Sequence, residues 1–141
     1  MVDVAELLVL CRSYGLDAVY AFGSRGKELA AVLRGEGSLD SANAADFDLG
    51  VLPQVGRVGD VEDRVHLTGA LEELLNVPRV DLVVLPQAGP YLALDVISGE
   101  QLCCTDPIRE AEYQLFVLRR AGDLAFFERE RRRMVLAGIG P

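Results

Sequence analysis

Apolar residues recur along the chain with two periods, and the switches between them divide it into elements. Val4, Leu7, Leu8 and Cys11 fall at helical spacing and predict a helix over residues 4–14, ended by Gly15. Ala18 to Phe22 is a continuous apolar run that reads as a short buried strand, cut by Gly23-Ser24-Arg25-Gly26. Residues 27–34 suit a helix, and residues 35–45, rich in Gly, Ser and Asn, read as a loop. Residues 46–52 predict a second strand, closed by Pro53. Val61, Val65, Leu67, Leu71, Leu74 and Leu75 place an amphipathic helix over residues 60–75. A third strand spans residues 80–85 and stops at Pro86, and residues 90–98 form a short helix before Gly99. Asp106 followed by Pro107 is a good helix start, from which a long helix runs to about Leu136, with Gly122 as its weak point. This order predicts a small α+β fold, a short mixed sheet flanked by helices with a long C-terminal helix.

The 141 residues suit one compact domain, residues 1–141, with enough apolar content for a real core. Charge narrows the function. A formal net charge of -8 is the reverse of what proteins gripping phosphate backbones carry, so direct nucleic-acid binding is not expected. The same surplus suits a cation binder or a protein that docks on a basic partner. Cys11, Cys103 and Cys104 are odd in number and lie in apolar runs, so they read as free thiols of a reducing compartment. His66 is the only histidine, which leaves little for a zinc site. No segment is long and apolar enough for a membrane span, and the Met1-Val2-Asp3 start lacks a basic signal-peptide region. A cytoplasmic location is expected.

The candidate chemistry is carboxylic. Side chains alternate along a strand, so Asp46 and Asp48 project from one face while Phe47 and Leu49 enter the core. Two carboxylates so close repel unless a cation lies between them, and magnesium suits the gap. A bare Asp-x-Asp is equally compatible with the acidic outer face of a half-exposed strand. Asp81 adds weight, because it interrupts the apolar run Val80-Asp81-Leu82-Val83-Val84. If Asp81 shares a surface with Asp46 and Asp48, the three could bind metal and activate an attacking hydroxyl. If not, it only begins an edge strand beside Arg79. Gly23-Ser24 lets backbone N–H groups and a hydroxyl approach phosphate at a helix start, with Arg25 and Lys27 near enough to add charge. His66, the run Arg131-Arg132-Arg133 and the aromatic residues Phe116, Phe126 and Phe127 read as surface or packing positions, some of them suited to an interface.

This combination resembles the DNA polymerase β-type nucleotidyltransferase superfamily: Phe22-Gly23-Ser24-Arg25 closing a strand, Asp46-Phe47-Asp48 on the next, and Val80-Asp81-Leu82 further on. Within it, the short length and the tail, residues 95–104 followed by a long helix through residues 119–124, are similar to the minimal nucleotidyltransferase (MNT) antitoxins that pair with HEPN toxins. The resemblance implies Asp46, Asp48 and Asp81 as catalytic residues and Mg2+ ligands. It also implies Gly23, Ser24 and Arg25 at the nucleotide. It implies ATP as substrate, a HEPN toxin as partner, and transfer of AMP to a toxin tyrosine. Two other readings stand beside it: an antitoxin of the same fold acting by docking alone, and a nucleotidyltransferase for a small molecule. The connection from Ser24 to Asp46 is longer than the family's usual one, which suggests a lid or partner contact in residues 35–43.

Overall fold

Side-chain carboxylates cap the helix starts, as expected at Asp106 and also at Asp3 and Asp60. The computed structural model describes residues 3–138, so the ends of the expected 1–141 domain, including Met1 and Val2, lie outside the described residues. Helix α1 (Val4–Tyr14) begins on Asp3, whose carboxylate accepts from the Ala5 N–H at 2.9 Å, and ends on Gly15 at φ 68°. Helix α3 (Val61–Leu75) begins on Asp60, which accepts from Asp63, and ends on left-handed Asn76. Helix α5 (Pro107–Leu136) begins on Asp106, which accepts from Arg109 at 3.0 Å. Two shorter helices, α2 (Gly26–Leu33) and α4 (Pro90–Ile97), complete the set.

Four strands form one mixed sheet: β1 (Leu16–Phe22), β2 (Phe47–Pro53), β3 (Val80–Val84) and β4 (Glu100–Cys104). Their order is β3-β2-β1-β4, with β2 and β3 parallel and the other pairs antiparallel. The α+β class and the long last helix are as the sequence predicts. Strand β4 is not foreseen there. It is five residues long and opens on Glu100-Gln101, so it lacks both the length and the alternation that would mark it.

Helices α1, α2 and α3 cover one sheet face. Leu7, Cys11, Leu29, Leu67, Leu71 and Leu75 pack there on Val19, Phe47, Leu49 and Val51. Helices α4 and α5 cover the other face through Ala93, Val96 and Val117, against Ala18, Tyr20 and Leu52. Helix α5 is fastened at its start by polar groups. Arg109 pairs with the buried Asp17 and donates to the Pro53 carbonyl, while the Tyr20 hydroxyl donates to Glu110. Beyond Ala121 no residue of this helix is buried, and Phe126 and Phe127 lie open to solvent.

Strand β3 forms one outer edge of the sheet. Glu72 of α3 accepts from the Val80 N–H at 2.9 Å, and Arg64 donates to the Leu82 carbonyl at 3.3 Å, so side chains occupy two of its outward groups.

Close approach of α4 requires a glycine on β2, because a Cβ at Gly50 would run into Val96. Gly50→Ala should therefore lower unfolding stability by about 1–3 kcal/mol through overpacking. Chemical denaturation of Gly50→Ala, Val96→Ala and the double variant checks this. The pair should lose less than the sum of its singles, and strict additivity would place the cost elsewhere.

Candidate functional site

The acidic residues meet where β2 and β3 run side by side. Parallel pairing sets Phe47 opposite Val80, Asp48 opposite Asp81 and Leu49 opposite Leu82. Phe47, Val80, Leu49 and Leu82 are buried toward α1–α3, which turns Asp48 and Asp81 together to the opposite face. Asp46 stands one residue before β2, on the same side as Asp48 by strand period, with Arg79 at 3.7 Å. That ion pair is largely solvated, Arg79 being 78 % exposed, so it does little to neutralise the cluster. The structure thus brings Asp46, Asp48 and Asp81 to one end of one sheet face.

The turn after β1 sits against them. Phe22 pairs with Asp48, and Gly23 follows at φ 72°, a backbone state that favours glycine. A Cβ there would also collide with the Asp48 carboxylate, so Gly23 is required twice over. Gly23 and Ser24 are exposed, ahead of the first turn of α2. A cavity of about 470 Å³ opens beside them, lined by Phe22, Gly23, Lys27, Asp95, Ser98 and Glu100. Of the two cations expected beside the turn, Lys27 lines this space.

Arg25 does not. Its side chain is 3 % exposed and its guanidinium stacks on the Phe47 ring at 3.9 Å. All five of its donors are engaged. They reach both Glu28 oxygens at 2.8 and 3.0 Å, and the carbonyls of Asp40, Asn43 and Ala45 at 3.0 to 3.1 Å. Expected at the nucleotide, Arg25 is here turned under the loop with every donor engaged. It clamps residues 40–45 instead. Glu28, unremarked in the sequence, completes the clamp by accepting from the Asp40 N–H at 2.8 Å. The one available signal was the Arg25–Glu28 spacing of three on a helix. The long connection is thus hydrogen-bonded down at its C-terminal end.

Among the described residues, no three His, Cys, Asp or Glu side chains converge closely enough to enclose a metal ion unaided. The electrostatics still ask for positive charge. Burial pushes the Asp48 carboxyl above the usual range, and the charges of Asp81 and Asp46 push it the same way. Asp46, Asp48 and Asp81 are hard oxygen donors, and magnesium takes one or two carboxylates while water and phosphate complete its shell, so the residues fit that ion.

Comparison with known structures finds the same fold in chains of solved toxin–antitoxin complexes, one of them of an MNT antitoxin with a HEPN toxin. More particularly, 94% of this chain matches 94% of a chain from a mutant MntA–HpeT toxin–antitoxin complex, with TM-score 0.62 and 22% identity. A toxin–antitoxin structure with AMP-PNP matches over 94% of both chains, with TM-score 0.59 and 23% identity. A tri-AMPylated Shewanella oneidensis HEPN toxin in complex with its MNT antitoxin matches over 94% of this chain and 92% of that one, with TM-score 0.57 and 23% identity. No protein-family model matches the sequence, and no curated protein does.

The raised Asp48 has a consequence for stability. The folded state holds this proton more tightly than the unfolded chain does. No penalty arises at low pH, where both states are protonated; as pH rises past the ordinary carboxylate value and then the raised one, the folded state is progressively destabilised. Asp48→Asn should therefore melt a few degrees above the parent at pH 7 without divalent cation. The gap should close as pH falls toward about 3. Melting curves across that range decide it, and a gap that stays constant in acid would mean that repulsion is not its source.

Proposed function

We propose that this chain is a magnesium-dependent protein adenylyltransferase antitoxin, which moves AMP from ATP to a tyrosine of a partner HEPN toxin and so silences it. The observation that carries this reading is the side-by-side placement of Asp48 and Asp81 against the exposed Gly23-Ser24 turn. It occurs in a fold shared with an MNT antitoxin bound to an AMPylated HEPN toxin. That no helix among the described residues is long and apolar enough to cross a membrane is compatible with the cytoplasmic setting this reading assumes.

The proposed roles follow from chemistry. Gly23 and Ser24 offer backbone N–H groups and a hydroxyl to the phosphate oxygens, and Lys27 adds charge from the neighbouring cavity wall. Asp46, Asp48 and Asp81 would hold magnesium, which when bound offsets charge on the phosphates. Asp81, the most exposed of the three, is placed to take the proton of the incoming tyrosine hydroxyl. The phenolic oxygen attacks the α-phosphorus, the bond to the β-phosphate oxygen breaks, and pyrophosphate leaves. The solvent-exposed residues beyond Ala121 in α5, including Phe126 and Phe127, offer the toxin an apolar surface. That surface also motivates the second reading, in which docking alone neutralises the toxin.

The experiment is to incubate the chain with its HEPN partner, ATP and magnesium and to weigh the partner intact. Mass should rise in whole AMP units. Asp46→Asn and Asp48→Asn should each slow that rise by about 100-fold or more while leaving the complex intact on gel filtration. A stable complex with no added mass at any time would favour docking alone.

A further inference from the structure

Cys11 and Cys103 lie 92 positions apart in sequence, yet their Sγ atoms stand 2.8 Å from one another inside the core. Cys11 is fully buried on the inner face of α1, and Cys103 is 7 % exposed on β4, where it pairs with Val19. Nothing at the acidic site uses either thiol. A disulfide has its sulfurs about 2.05 Å apart, so bond formation would need them to close by under about 1 Å. The two residues sit in elements that pack on each other, Cys11 in α1 and Cys103 in β4, whose register with β1 shifts just beside Cys103.

From this geometry we infer that Cys11 and Cys103 are an oxidation site, closed to a disulfide by a small hydroperoxide and reopened by thiols. The thiols are unequal. The shared hydrogen bond holds the Cys103 thiol below its usual range, and the same bond together with burial pushes the Cys11 thiol up. Cys103 is therefore the thiolate that attacks the peroxide oxygen; the O–O bond breaks, leaving a sulfenic acid on Cys103 and releasing hydroxide, which takes a proton to become water. The Cys11 sulfur then displaces the sulfenic oxygen as a second water and loses its own proton. In sum, two thiols and one hydrogen peroxide give one disulfide and two waters. Cys104 does not compete for this bond. The strand alternation turns it to the opposite face, where it pairs with Ala18 of β1.

The ring so closed runs from α1 to β4 and contains Gly23, Ser24, Asp46, Asp48 and Asp81. Closing a loop of that length restricts the unfolded chain, so oxidation should raise the melting temperature by about 5–15 °C.

The test treats the whole native chain with hydrogen peroxide, blocks remaining thiols in denaturant and maps the peptides by mass. The expected result is a loss of two hydrogens, a Cys11–Cys103 cross-linked peptide, a higher melting temperature and full reversal by dithiothreitol. Cys104→Ser should behave as the parent does. Three results would overturn the inference: all three thiols still open to alkylation, Cys103 carried on to sulfinic acid without a cross-link, or a cross-link that runs through Cys104. Because the parent chain itself is mapped, the outcome does not depend on whether Cys11→Ser or Cys103→Ser folds.

Discussion

Parallel pairing of β2 with β3 forces Asp48 and Asp81 to stand shoulder to shoulder, and the rest of that end of the sheet accommodates this repulsion. The register cannot slip to relieve it. Phe47, Leu49, Val80 and Leu82 are buried on the opposite face, and a shift of one residue would exchange them with the two carboxylates. Burial of apolar side chains, worth roughly 1.5–3 kcal/mol each, therefore outweighs the like-charge penalty of a partly solvated pair. The neighbouring turn is shaped around the same constraint, since any side chain at Gly23 would press on the Asp48 carboxylate. Packing energy collected on one face thus maintains an electrostatic imbalance on the other.

Cations near the cluster are deployed so that the imbalance persists. Arg25, the nearest in sequence to the turn, is neutralised by Glu28 and spends its remaining donors on loop carbonyls. By stacking on Phe47 and holding the Ala45 carbonyl, it brackets Asp46 between two fixed points. Arg79 meets Asp46 at 3.7 Å in an exposed pair that offsets little of its charge. The positive charge that lines the neighbouring cavity is Lys27, so the acidic end keeps its excess of negative charge.

Much of this could be read from the residues, and the failures have identifiable causes. Strands β1, β2 and β3 and helices α1, α3 and α5 announced themselves through periodicity, capping aspartates and terminating glycines, because each signal is local. The shared face of Asp46 and Asp48 followed from strand period alone. Whether Asp81 joined them turned on strand order and register, which depend on contacts between distant segments and leave no mark at position 81 itself. Strand β4 escaped because its pairing with β1 supplies the order that its own residues do not favour. The partners of Arg25 were hidden for a related reason. They are carbonyls of residues 40–45, which only the fold returns to its donors.

The way α3 guards the outer edge of β3 bears on how the protein behaves in a crowded solution. An unguarded edge invites the strand of another molecule to add on, and such an addition here would lay a foreign chain directly beside Asp81. With the Val80 N–H held by Glu72 and the Leu82 carbonyl held by Arg64, that invitation is withdrawn. Two unremarkable helix side chains thus leave less of this edge open to a foreign strand.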